Sequence, residues 1–163
     1  MGEMLTYEIF AKLMGVFPTG VTIVTSIGID ETPRGVTVNA FSSISQSPPI
    51  CMVSISKNSL TVAAILSAAA FAINFLNIDQ ELLSQRFASK VTDKFDGVSW
   101  TVTRAGLPAI TGVAAIVECS LRRCIDVGDH CLILGTVIGG QVSDHAVPLA
   151  YYRRQYGSFT PRS

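Results

Sequence analysis

Short runs rich in β-branched residues, closed off by tight turns, constrain this chain more than any other feature. Val21 to Ile29 alternates apolar and polar positions, and "DETP" from Asp30 to Pro33 supplies a turn. "RGVTVNAFSSIS", Arg34 to Ser45, runs back as the partner strand until the prolines of "QSPP" stop it. Ile50–Ser56, Ala70–Leu76, Gly112–Val127 and Cys131–Val142 carry the same β signature, and "GDH", Gly128 to His130, links the last two tightly. Helical spacing is confined to three short segments. Thr6 caps Ile9, Leu13 and Val16; "KNSLT" caps a helix to Ser67; and Asn77 or Asp79 caps "QELLSQRFA". A short segment around Trp100 and a closing stretch from Pro148 to Phe159 complete the reading. Six or seven hairpin-linked strands with two or three helices in the gaps predict a small antiparallel β-barrel, not a doubly wound sheet. "GTVIGG", Gly135 to Gly140, has the wrong spacing for a dinucleotide fingerprint and falls inside a strand.

A length of 163 residues fits one domain, 1–163 with a core of about 7–159, able to bury roughly 70% of the surface of its unfolded chain. Hydrophobic residues make up 48% and charged residues only 15%, so part of the apolar surface is expected to be covered by a second copy. Zero net charge and the absence of a basic run argue against nucleic acid. The apolar stretch Thr61–Leu76 is too short for a membrane span, and Glu3 and Glu8 do not suit a secretory signal, so a cytoplasmic protein with reduced thiols is expected. "CIDVGDHC" invites a metal reading through Cys124, Asp129, His130 and Cys131. Its spacing fits no structural zinc pattern, and the adjacent His130 and Cys131 would point to opposite faces, so no metal is expected.

Three polar features interrupt the apolar pattern. One is the strand face carrying Thr37, Asn39 and Ser43, either solvated or turned to a ligand. Another is "SKNS", Ser56 to Ser59, where a helix N-terminus with Lys57 and serines can cap itself or hold an anion. The third is His130, structural or solvated by default at such a turn. No nucleophile elbow and no paired general acid and base accompany them, which suits a cofactor that brings its own chemistry.

Together, "FPTGVTIVTS", "GVTVNAFSSISQSPPI", "FAINFL", "QRFAS", "GDHCLILGTV" and "PLAYYRRQYGSF" resemble, in order and spacing, the flavin reductase-like domain family of FMN-binding split barrels. Within it the chain is most similar to the short-chain flavin reductases that serve two-component flavin monooxygenases. The resemblance implies a homodimeric, Greek-key split β-barrel of about six antiparallel strands. It implies Thr37, Val38, Asn39 and Ala40 along the isoalloxazine ring. Ser43, Ser56, Lys57 and Ser59 would hold the ribityl and phosphate end, and Thr19, Gly20, Arg86 and Phe87 would line the pocket. His130 would stand by the nicotinamide, and Tyr152 and Tyr156 would cover the site.

The implied reaction is hydride transfer from NADH or NADPH to FMN or FAD, with the reduced flavin passing to a partner oxygenase. Two alternatives stay open at this point: reduction of another acceptor, such as a cobalt-corrin intermediate, through tightly held flavin, and a non-catalytic flavin- or haem-binding barrel.

Overall fold

The computed structural model describes residues 5–160; the first four and last three residues of the expected domain lie outside the description. The elements in chain order are α1 (Tyr7–Met14), β1 (Thr19–Gly20), β2 (Thr22–Ile27), β3 (Pro33–Val38), β4 (Phe41–Gln46), β5 (Pro49–Ser56), α2 (Leu60–Ala68) and β6 (Ala70–Phe75). After them come α3 (Glu81–Ala88), β7 (Trp100–Val102), β8 (Pro108–Ile110), β9 (Ala115–Val127), β10 (His130–Val142), β11 (Leu149–Tyr152) and β12 (Gln155–Ser158).

Seven strands form one antiparallel sheet in the order β3-β2-β6-β9-β10-β5-β4. Its two edge strands are consecutive in sequence. The expected single strand Arg34–Ser45 is in fact two arms bent at Asn39–Ala40: β3 pairs with β2, β4 pairs with β5, and the Ala40 carbonyl accepts a hydrogen bond from Ser54 N at 3.0 Å. A flat strand cannot serve both ends of a sheet. The corner lets one stretch close the barrel, which has six strands when the bent one is counted once.

Alternation along the strands divides the apolar residues between two cores. Val24, Val53, Ile55, Phe71, Ile73 and Ile133 fill the barrel, where Val62 and Ile65 of α2 plug it. Ile23, Ala72, Phe87, Phe95, Leu107, Ile110 and Leu149 pack on the other face, beneath α3 and the β7–β8 hairpin. Each large side chain so buried contributes about 1.5–3 kcal/mol. Buried Asn74 bonds three neighbours of this second core. Its Oδ1 accepts from Ile110 N at 2.8 Å, and its Nδ2 donates to the Ile23 carbonyl at 3.0 Å and to Thr25 Oγ1 at 3.1 Å.

One local expectation is corrected, and one open stretch gains a structure. Neither Asn77 nor Asp79 caps α3: Gln80 is its N-cap without a side-chain cap bond, and Asn77 Oδ1 instead accepts from Ile78 N and Val147 N. The closing stretch is a hairpin, β11–β12, that pairs with β1 in a three-stranded sheet. Arg153 and Arg154 hold its turn at positive φ (49° and 64°), where the usual Asn-Gly signal is missing.

Candidate functional site

The β5–α2 junction and the loop after α3 enclose a cavity of about 460 Å³. Ser59 is the N-cap of α2, and its hydroxyl accepts from Thr61 N at 3.3 Å, which is the capping role expected of "SKNS". Ser56, Asn58, Ser59 and Thr61 line one side, and Ser89, Lys90, Thr92 and Lys94 line the other, with Arg34 and Gly35 of β3 between. The cavity thus sets the N-terminal end of α2 beside Lys90, Lys94 and Arg34, the last also paired with Asp30 at 2.6 Å. Partial burial pushes the Lys94 pKa down, and its Nζ donates to the Phe87 carbonyl at 2.7 Å.

Arg86 shapes this cavity from behind. Its Nε donates to the Lys94 carbonyl at 2.8 Å and its Nη2 to the Asp93 carbonyl at 3.1 Å, which fixes the loop that carries the lysines. Phe87 is fully buried and meets Phe95 edge to face at 5.0 Å, so it packs rather than lines. Gly35 is needed beneath it: a Cβ there would fall 2.6 Å from the Phe87 ring.

The bent strand divides its expected ligand residues. Thr37 donates to the Ser84 carbonyl at 2.6 Å, and the Ser84 hydroxyl lies 3.0 Å from Tyr156 Oη, so the Thr37 and Tyr156 hydroxyls are engaged by α3. Val38 is buried in the barrel, and its carbonyl accepts from Thr22 Oγ1, so its side chain is a core group. Asn39, Ala40 and Ser43 stay exposed at and beyond the corner, outside the cavity lining.

Thr19 and Gly20 lie on β1 opposite Tyr151 and Ala150. Thr19 Oγ1 is buried with no hydrogen-bond partner among the described residues. Such an atom is costly unless a ligand or another chain satisfies it. Exposed Tyr152 stacks under the Arg153 guanidinium at 5.3 Å.

His130 opens β10 directly opposite Ser56 on β5. Its Nδ1 lies 2.7 Å from Asp129 Oδ1, a hydrogen bond that holds the Asp129 carboxyl below its ordinary range. Lys57 lies beside this turn: its N–H donates to the Asp129 carbonyl at 3.1 Å, and its Nζ pairs with Asp126 Oδ2 at 3.3 Å. The cavity residues Arg34, Asn58, Lys90 and Lys94 escaped the sequence reading. The available signal was that two of the chain's few lysines lie four apart just after "QRFAS".

His130 and Cys131 alternate across the sheet, and the set discounted on spacing, Cys124, Asp129, His130 and Cys131, is not brought together among the described residues. A different set is: Cys124, Asp126 and Cys131 bring their ligand atoms within 4.8 Å of one another. A larger cavity of about 540 Å³ lies between α1 and the β11–β12 turn, lined by Glu8, Lys12, Gly15, Arg153 and Arg154. It holds none of the expected site residues.

A six-stranded barrel with a cation-flanked cavity at one strand-to-helix junction is of the split-barrel class. Within that class the flavin reductase like domain matches residues 14–160, and the chain belongs to that family. It is 40% identical over 152 residues to a flavin reductase (NADH) of Kitasatospora aureofaciens, covering 91% of this chain and 80% of the relative. It is 37% identical over 152 residues to the reductase subunit of a flavin-dependent monooxygenase of Rhodococcus jostii, covering 93% and 77%. Among solved structures, an NADH:FAD oxidoreductase of Streptomyces globisporus, in complex with NAD and FAD fragments, superposes with a TM-score of 0.89 at 32% identity over 98% of each chain.

Proposed function

We propose that this protein is an NAD(P)H-dependent flavin reductase, transferring hydride from NADH or NADPH to FMN or FAD. The observation that carries the reading is the cation-ringed cavity at the N-terminus of α2, one strand away from His130. The relatives' names add NADH as donor and flavin as acceptor.

The residues present fit a flavin. Ser56, Ser59, Lys90 and Lys94 suit its phosphate, and the exposed Asn39–Ala40 corner offers polar and backbone groups to the ring. Bound flavin supplies the hydride acceptor, so no protein acid is needed for the transfer. The chain's work is alignment, worth several orders of magnitude in effective concentration. His130, steadied by Asp129, orients the nicotinamide, and its Nε2 has no protein partner among the described residues.

A second copy of the chain belongs to this reading. Ile125, Leu132, Leu134 and Met52 lie on the outer face of the barrel and are only half-buried in the single chain, while Phe10, Leu13 and Phe17 around α1 are exposed. Such a surface suits a homodimer. The reduced flavin would serve a flavin-dependent oxygenase, as the names of several relatives say of those proteins. No helix among the described residues is long and apolar enough to cross a membrane. The four free cysteines suit the reducing cytoplasm.

The test is NADH oxidation with and without added FMN or FAD. Loss of NADH that requires added flavin supports the reading. No loss with either nicotinamide and either flavin rejects it.

A further inference from the structure

We propose that Cys124, Asp126 and Cys131 form a binding site for a borderline-soft divalent cation such as zinc, separate from the flavin site. The β9–β10 pairing places Cys131 opposite Asp126, and Cys124 lies two residues earlier on the same face, so all three side chains leave the sheet together.

The spacing is that of a coordination shell. Cys131 Sγ and Asp126 Oδ1 stand 3.5 Å apart. With zinc–sulfur bonds of about 2.3 Å and zinc–oxygen bonds of about 2.0 Å, the sulfur–oxygen edge of a tetrahedron is also about 3.5 Å. The sulfur–sulfur edge would be about 3.8 Å on the same bond lengths. The three ligand atoms lie within 4.8 Å of one another, so small rotamer shifts complete the set.

Two thiolates with one carboxylate select a zinc-like ion over magnesium or calcium, and three protein ligands leave a position open for water. The carboxylate divides its oxygens: Lys57 Nζ holds Oδ2 at 3.3 Å, while Oδ1 faces Cys131. The Lys57 charge offsets part of the excess negative charge of the ligand set. Cys131 is buried and Cys124 half-buried, with exposed Asp126 giving access from solvent.

The experiment titrates the reduced, chelator-stripped full chain with cadmium and reads the ultraviolet sulfur-to-cadmium charge-transfer band, followed by zinc competition. We expect one cadmium per chain, displaced by zinc, with the band lost in Cys124→Ser and in Cys131→Ser and retained in Cys51→Ala. Asp126→Asn changes an exposed side chain and is expected to weaken binding without altering the fold, so the test survives a misfolded Cys131 variant. In the wild-type chain, cadmium should protect Cys124 from alkylation. Absence of the band, its survival in Cys124→Ser, or protection of Cys51 and Cys119 alone would overturn the site.

Discussion

His130 stands opposite Ser56 across the β5–β10 pairing, so the histidine of the tight β9–β10 turn and a serine lining the cavity at the α2 N-terminus are cross-strand neighbours on one sheet. Neighbouring strands lie about 4.8 Å apart. On the proposed reading, donor and acceptor nucleotides would therefore approach from adjoining positions on the sheet.

His130→Ala removes a side chain held by Asp129 at 2.7 Å. We expect a raised KM for NADH and unchanged flavin affinity, measured by steady-state kinetics and by flavin fluorescence titration. Unchanged kinetics would remove the histidine from the nicotinamide site.

Lys90→Glu places a negative charge in the cavity from an exposed position. A lost charge-assisted hydrogen bond to phosphate, together with the new repulsion, is expected to weaken FMN binding by about tenfold or more. The melting temperature should hold. Riboflavin, which lacks the phosphate, should be bound equally by both proteins.

Asn39→Leu tests the barrel corner. The Asn39 side chain is exposed and makes no hydrogen bond to the described residues, so its replacement leaves no buried group unpaired. A folded variant with weaker flavin affinity is expected from calorimetric titration. Wild-type affinity would return the corner to a purely structural role.

Gly135→Ala tests the barrel interior. A Cβ there would lie 2.6 Å from the Phe71 ring and 2.8 Å from Cys119 Cβ, with no open space to relax into. Overpacking of this kind costs about 1–3 kcal/mol. At roughly 2–4 °C per kcal/mol for a chain of this size, thermal unfolding should begin several degrees earlier.

The barrel was legible because alternation and turn residues are local signals. Val21–Ile29 and Gly112–Val127 differ from the observed strands only at their ends. The bend at Asn39–Ala40 was not legible, since no glycine or proline marks it and its cause is closure with Ser54 on β5. The engagement of Thr37 and Tyr156 by Ser84 is not legible, because Ser84 is distant from both in sequence. The place of Ser56 and Ser59 at the start of α2 is legible because helix capping leaves a signature, while Lys90 and Lys94 sit in a loop whose path Arg86 sets. Cys124, Asp126 and Cys131 meet only through the register of β9 on β10, which no spacing rule contains.

The most direct test mixes the protein anaerobically with NADH and a several-fold excess of FMN, and follows flavin bleaching together with NADH loss. The account predicts that both proceed at the same rate, one flavin reduced per NADH, through many turnovers of the protein. Bleaching no faster than in the protein-free control, for FMN and FAD and with NADPH as well, would contradict it.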